Sequence, residues 1–125
     1  MTPPEIIRAH ARNQGIDENV LAGQIHDFLS EPKTQVLQQN DCLFLIKNEH
    51  GLGFFYILNG GNSTGYIRAL RMFVTMMKAL GYKKIAMRVQ DKDQSAKIAK
   101  TAGTVSVSYK TIGGKHDPYL MTMEI

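Results

Sequence analysis

The residues best suited to chemistry form a glycine-rich turn that precedes a helix. The turn runs from Asn59 to Gly65 and consists entirely of Asn, Gly, Ser and Thr, which bend the backbone readily. It follows an apolar run at 54–58, and the next residues, Tyr66 to Leu80, have the apolar spacing of an amphipathic helix. A helix N-terminus presents unpaired N–H groups and the positive end of a dipole, and both favour a phosphate. The turn is therefore a candidate anion site.

The sequence predicts neither a metal site nor an internal disulfide. The four histidines, His10, His26, His50 and His116, are scattered, and no two of them have the i, i+4 spacing of helical metal ligands. Cys42 is the single cysteine, so no internal disulfide can form, which fits a reducing compartment. Because Cys42 begins an apolar run, we expect a buried structural thiol and no metal site.

The net charge of +4 is divided unevenly along the chain. Residues 1–60 hold four Lys and Arg against seven Asp and Glu, whereas residues 61–125 hold eleven against four. The basic half includes the glycine-rich turn and suits a phosphorylated cofactor, a nucleic acid or an acidic protein surface. No RGG tract, long basic run or basic–aromatic interleaving favours nucleic acid over the other two, or over a plain solvated face.

The length of 125 residues predicts one domain spanning the whole chain. Its 43% hydrophobic content is ordinary for a globular protein. No apolar run approaches the roughly 20 residues that span a bilayer, so no membrane span is predicted. The first residues lack the basic and apolar regions of a secretory signal. We therefore expect a cytoplasmic location.

Apolar periodicity predicts the element order α-α-β-β-β-α-β-α-β-β and a fold of the α/β class. The strands at 52–58 and 84–89 are joined through a helix, so they should be parallel neighbours within a mixed sheet. The central strands are almost continuously apolar, so helices should cover both faces of the sheet. Helices are predicted from Pro3-Pro4 to Gly15, from Asp17 to Glu31-Pro32, and over 66–80 and 94–102, and strands over 34–38, 42–47, 52–58, 84–89, 104–110 and 119–125.

This order, together with the residues around the turn, resembles the acetyltransferase fold of the GNAT superfamily without its usual first strand. In that family a strand leads into a loop of pattern Gln/Arg-x-x-Gly-x-Gly/Ala, and the N–H groups of the loop hold the pyrophosphate of acetyl-CoA. Asn62 replaces the Gln or Arg, Gly65 is retained, and Ile67 replaces the second glycine or alanine, where its branched side chain obstructs the phosphate. The matching residues are Asn62, Ser63, Thr64, Gly65, Tyr66 and Ile67, followed by Arg68-Ala69-Leu70.

A second stretch of the chain carries the resemblance further. The family pattern Asn-x-x-Ala-x-x-Leu-Tyr-x-x-x-Gly-Phe corresponds here to residues 92–104. Ala99 stands where many members have a tyrosine that protonates the leaving thiolate, and Thr104 replaces the phenylalanine. Residues 96–105 and the terminal hairpin are similar to the short acetyltransferase-like virion proteins of short-tailed bacteriophages.

These resemblances imply two functions. In the first, the chain is a structural or assembly component of a bacteriophage virion with a degenerate acetyl-CoA loop and no cofactor. Its partners are then other virion or assembly proteins, and it is found in the host cytoplasm and in the particle. In the alternative, it is an active acetyl-CoA-dependent N-acetyltransferase. A nucleic-acid-binding module that uses the basic half is a third hypothesis.

The enzyme hypothesis needs proton-transfer groups, for which the sequence offers five candidates. Glu49, His50 and Tyr56 lie near the central hairpin and are candidate bases or water-positioning groups. Tyr109 and Tyr119 are candidate acids in place of the tyrosine missing at position 99. The strand over 119–125 would pair with another copy, giving a homo-oligomer, if it formed an edge of the sheet.

Overall fold

A computed structural model describes all 125 residues, which form four helices and six strands in the predicted order. None of the helices combines the length and the apolarity that crossing a bilayer requires. The helices are α1 (Pro3–Gln14), α2 (Glu18–Leu29), α3 (Ser63–Ala79) and α4 (Lys92–Thr101), and the strands are β1 (Thr34–Gln39), β2 (Cys42–Glu49), β3 (Leu52–Asn59), β4 (Lys84–Val89), β5 (Ser106–Thr111) and β6 (Tyr119–Glu124).

The six strands form one mixed sheet with the spatial order β1-β2-β3-β4-β6-β5. Strands β3 and β4 are parallel and every other neighbouring pair is antiparallel, which confirms the predicted parallel step through α3. Strand β6 lies between β4 and β5, so the edges of the sheet are β1 and β5. The stretch 119–125 is therefore not an edge, and the condition for its pairing with another copy is not met.

Helices cover both faces of the sheet, as the apolar strands predict. Helices α3 and α4 pack on one face, where the ring of Phe73 stacks on Phe44 with centroids 4.1 Å apart. Helices α1 and α2 pack on the other face through a smaller cluster that includes Ile6 and Leu21. Consecutive residues of β2 alternate between the two clusters, because side chains of a strand point to opposite faces in turn. The buried state predicted for Cys42 is confirmed.

Helix α3 begins at Ser63, three residues before the predicted start at Tyr66. The side-chain Oδ1 of Asn62 accepts a hydrogen bond from the N–H of Gly65 at 2.8 Å, so Asn62 is the N-cap. Of the residues predicted to form the turn, Ser63, Thr64 and Gly65 therefore belong to the first turn of the helix, and Asn59 is the last residue of β3. Helix α4 likewise begins early, at Lys92, because Asp91 caps it.

Apolar spacing predicts that Val20 lies on one face of α2 with Leu21, and that Val105 alternates inward with Val107, but both valines are exposed. Val20 is 54% exposed because the buried face of α2 is set by Leu21, and a neighbouring residue lies about 100° around the helix. Val105 is 75% exposed because β5 begins one residue later than it, and the alternation that faces the core starts at Val107.

Gly53 lies where β3 meets β4, and a Cβ there would lie 2.5 Å from Cε of Met77 and 3.3 Å from Cγ2 of Ile85. We expect Gly53→Ala to lower the free energy of unfolding by about 1–3 kcal/mol, the usual effect of overpacking a core. Urea denaturation measures this effect. Gly23→Ala is the matched control, because a Cβ at Gly23 in α2 meets nothing within 4 Å. It should raise stability by up to about 1 kcal/mol, and equal effects at both positions would contradict the packing argument.

Candidate functional site

Strands β3 and β4 separate soon after they begin. Their pairing covers only Leu52 with Lys84, Gly53 with Ile85, and Phe54 with Ala86. Both strands continue beyond these pairs, β3 to Asn59 and β4 to Val89. The later main chain of β3 therefore has no strand partner on the side that faces β4. The result is a gap at the carboxyl ends of two parallel strands, a usual place for a ligand in an α/β sheet.

A cavity of about 1140 Å³ opens at this gap. It is larger than the roughly 300–1,000 Å³ of a typical small-molecule pocket, so there is room for two substrates to meet. Its walls come from both sides of the sheet, with α1 and α2 on one side and the N-terminal turns of α3 and α4 on the other. The strand residues in its lining are Leu45, Phe55, Tyr56, Ile57, Leu58, Asn59, Met87, Arg88 and Val89.

The N-terminus of α3 faces the cavity through Ser63, Tyr66 and Ile67. The N–H groups of Ser63 and Thr64 have no protein partner, because they precede the first intrahelical bond, which Tyr66 donates to the carbonyl of Asn62. The third N–H of this turn, on Gly65, is taken by the Asn62 side chain. Two amide donors therefore remain free for an anion.

Tyr66 and Ile67 border this turn on the side of the cavity. Ile67 is half-buried and lines the cavity. The obstruction of a phosphate by its β-branched side chain stays a prediction. The Tyr66 hydroxyl makes no hydrogen bond within the protein, and burial raises the pKa of this phenol. It is a protonated donor at neutral pH.

Helix α4 offers no tyrosine at the position where the resemblance places one. Ala99 is completely buried in the main core cluster. Tyr109 and Tyr119 do not replace it, because neither lines the cavity. The Tyr109 hydroxyl donates to the carbonyl of Lys92 at 2.8 Å, and the Lys92 ammonium lies 4.6 Å from the ring centroid of Tyr119. Both tyrosines hold the start of α4 against the β5–β6 hairpin.

The other candidate residues are divided between the turn that precedes β3 and the middle of β3. Glu49 and His50 lie at the turn between β2 and β3, and neither lines the cavity. They are separated from Asn59 by the eight residues of β3, roughly 25 Å at about 3.3 Å per residue. Tyr56 does line the cavity, and its ring makes an edge-to-face contact with Phe28 of α2 at 5.6 Å. Of the five candidates, only Tyr56 lies at the cavity, and their roles stay predictions.

Sequence reasoning did not single out His10 as a site residue. Its Nδ1 accepts a hydrogen bond from the N–H of Asn59 at 3.2 Å, at the open side of β3, and its ring lines the cavity. Burial lowers the pKa of His10, so the ring is neutral and carries its proton on Nε2. The sequence did contain one indication, because His10 lies four residues after the buried Ile6 and therefore on the same face of α1.

Comparison with known proteins supports the fold. No protein-family model and no curated protein sequence matches the chain. Solved structures do match. A chimeric spermidine N-acetyltransferase from Vibrio cholerae and hSSAT superposes with a TM-score of 0.63 at 12% identity, covering 100% of this chain and 93% of that one. A protein from Chromobacterium violaceum, described as a probable acetyltransferase of the GNAT family, gives 0.63 at 13% identity, covering 87% and 67%.

A third structure extends the likeness to a different acceptor. The ribosomal-protein-S18-alanine N-acetyltransferase from Escherichia coli gives a TM-score of 0.54 at 14% identity, covering 87% of this chain and 77% of that one. Identities this low establish the fold alone. The chain therefore has the mixed α/β fold of the GNAT acetyltransferases, and the predicted fold class is confirmed.

The lowered pKa of His10 should make stability depend on pH. Below about pH 6.5 the unfolded chain takes up a proton at this residue before the folded chain does, so the free energy of unfolding should fall as the pH falls. Urea denaturation between about pH 5 and pH 7.5 measures this slope. His10→Gln should reduce it, whereas His26→Gln, at an exposed position of α2, should not. An NMR titration in which His10 of the folded protein keeps its proton to a higher pH than His10 of the unfolded chain would contradict the argument.

Cys42 should be almost inert in the folded protein. Burial, with a smaller contribution from Asp41, raises the pKa of its thiol to about 11. At about pH 8 only roughly one molecule in a thousand then carries the reactive thiolate. Labelling with Ellman's reagent should therefore be slow in buffer and rapid in urea. Rapid labelling of the folded protein would show that the thiol is accessible and ionised.

Proposed function

We propose that this chain transfers an acyl group from an acyl-CoA thioester, of which acetyl-CoA is the simplest, to an amine. The observation that supports the proposal is the gap between β3 and β4. It brings a strand with unpaired main-chain groups, a helix N-terminus with free amides and a large cavity together at one place. An acyl donor with a phosphorylated end and an amide-bearing arm fits this combination.

The chain's own groups fit such a donor in part. The N–H groups of Ser63 and Thr64, with the dipole of α3, would hold its pyrophosphate. The open side of β3 would pair with the amide groups of its arm, since main-chain groups in a buried site need partners. Gly65 contributes no donor, because its N–H is already bonded to Asn62. Binding should therefore be weaker than that of a loop with all its amides free.

The donor supplies a carbonyl carbon that is already activated as a thioester. In the transfer, the amine nitrogen forms a bond to that carbon, the C–S bond breaks, one proton leaves the amine and one reaches the sulfur. The chain orients the amine and excludes water through the apolar residues that line the cavity. The hydroxyls of Tyr56 and Tyr66 are the phenols that line the cavity, and they are candidates for donating the proton.

A specific observation favours a second function, which is a non-catalytic one. Ala99 is sealed in the core, so α4 gives the cavity no tyrosine hydroxyl at that position. A chain that keeps the fold without this group would suit the structural or assembly role in a bacteriophage virion that the sequence suggested, with virion proteins as partners. The three compared structures are described as acetyltransferases, and none of them supports a link to a virion.

Replacement of Ser63 separates the main-chain N–H from the hydroxyl. Ser63→Pro removes the free N–H at the first helical position, where proline fits a helix, and the extended backbone of Asn62 tolerates a following proline. Isothermal titration calorimetry should show acetyl-CoA binding weakened about tenfold or more, the usual loss for one hydrogen bond to a charged group. Ser63→Ala is the control, since it keeps the N–H and should bind like the original chain.

Two outcomes of this titration count against the proposal. Failure of the original chain to bind acetyl-CoA at millimolar concentration would overturn the acyltransferase function and leave the non-catalytic one. Equal binding by the proline and alanine variants would show that the start of α3 does not hold the phosphates. Thermal melting of each variant verifies that the fold is retained.

A further inference from the structure

Arg88 and Tyr56 face each other across the gap. The last pair of the ladder is Phe54 with Ala86, so two residues further along each strand bring Tyr56 opposite Arg88. Both side chains point to the face that α1 and α2 cover. Tyr56 contacts Phe28 of α2, and Arg88 alternates with Met87 and Val89, which face the opposite core. A phenol and a guanidinium therefore flank the opening on the same side of the sheet.

The guanidinium of Arg88 has no carboxylate partner. All the ion pairs of the protein involve other residues, and Arg88 is exposed at the lining of the cavity. An arginine fork binds a carboxylate through two parallel hydrogen bonds, which gives orientation as well as attraction. An unpaired arginine in a cavity wall is therefore suited to the carboxylate of a ligand.

The part of the cavity beside Arg88 on this face is apolar and free of acidic groups. Helices α1 and α2 close it, and their polar contributions, apart from His10, are neutral amides. The two carboxylates of the lining come from outside α1 and α2. Asp91 begins α4 and is already engaged as its N-cap, and Asp117 lies in the loop before β6. We call this part of the cavity the apolar arm. Its apolar residues are Ile16, Leu21, Ile25, Phe28, Leu45 and Leu58.

We propose that the acceptor of the acyl group is an amino acid with an apolar side chain, held by Arg88 at its carboxylate and by the arm under α2 at its side chain. This inference rests on the proposed function and names the substrate class of the same site. The α-amino group of such a ligand lies between the two anchored parts, so it remains at the gap. Transfer there replaces one N–H of the amine by an N–acyl bond, and the freed thiol keeps a proton.

The same features disfavour a polyamine. Spermidine carries several positive charges along an aliphatic chain, and the arm offers it no carboxylate, while Arg88 repels it. The compared spermidine N-acetyltransferase shares the fold at 12% identity, so its acceptor does not decide the acceptor of this chain. The lining therefore favours an apolar amino acid over spermidine, because it offers a positive charge and no carboxylate in this part of the cavity.

The test uses ligands that differ by one group. Phenylalanine and phenethylamine share the ring and the amine, but only phenylalanine has the carboxylate. Binding to the full chain is followed by calorimetry, with chemical shifts as a second readout. The original chain should bind phenylalanine at least about tenfold more tightly than phenethylamine or spermidine, the usual effect of one charge-assisted pair. Glycine, which lacks the apolar group, should bind about tenfold more weakly than phenylalanine.

Variants assign each contact. Arg88→Met should weaken phenylalanine about tenfold and should not weaken phenethylamine, which has no carboxylate for Arg88 to bind and whose ammonium Arg88 repels. Ile16→Ser, at an exposed position of the arm, should weaken both ligands. Lys110→Met is the control, because it removes a positive charge from β5 outside the cavity lining and should change neither ligand.

Several results would overturn the inference. They are tighter binding of spermidine or phenethylamine than of phenylalanine, no binding of phenylalanine at millimolar concentration, or an Arg88→Met variant that binds phenylalanine normally. These measurements need no acetyl-CoA. Loss of the proposed function would appear as failure to bind acetyl-CoA in the separate titration, so the two failures are distinguishable.

Discussion

Strands β3 and β4 share only three residue pairs, whereas the ladders on their outer sides run for eight pairs with β2 and six with β6. Each strand thus has a long ladder with its antiparallel partner, and the parallel β3–β4 ladder is the shortest pairing in the sheet. Gly53 allows close approach at the joined end, where Met77, Ile85 and Tyr82 crowd around it. Beyond this point the two antiparallel units diverge, and the divergence creates the cavity.

Where β3 and β4 do not pair, their main-chain N–H and C=O groups lie beneath the helices and need other hydrogen-bond partners. At the end of β3 the protein itself supplies a partner, because the N–H of Asn59 donates a hydrogen bond to Nδ1 of His10. The groups between Phe54 and Asn59 have no strand beside them, and solvent or a ligand must satisfy them. The Phe54–Ala86 pair at one end and the His10 contact with Asn59 at the other limit the length of chain that a ligand can replace. An extended ligand in the gap could therefore hydrogen-bond to the unpaired main-chain groups of β3, as a neighbouring strand would.

Much of this arrangement follows from the sequence, and what does not follow has identifiable causes. The parallel step could be predicted because a helix between two strands forces a crossover. The predicted start of α3 lies three residues late because Asn, Ser and Thr favour both turns and helix caps, and only the Asn62–Gly65 hydrogen bond decides between them. The end of the β3–β4 ladder depends on tertiary packing, so no local pattern marks it. Arg88 reads as an ordinary solvent-facing strand residue until the register sets it opposite Tyr56.

The departures from the acetyltransferase pattern act on separate parts of the site and do not jointly remove it. Asn62 bonds one amide and leaves two free, and Ile67 is one lining residue of a cavity that is larger than one ligand needs. Ala99 removes a hydroxyl from α4, but Tyr56 and Tyr66 still bring phenols to the lining. Filling the opening with apolar side chains would add buried area and stability, so the open cavity has a cost in stability that a bound ligand would offset.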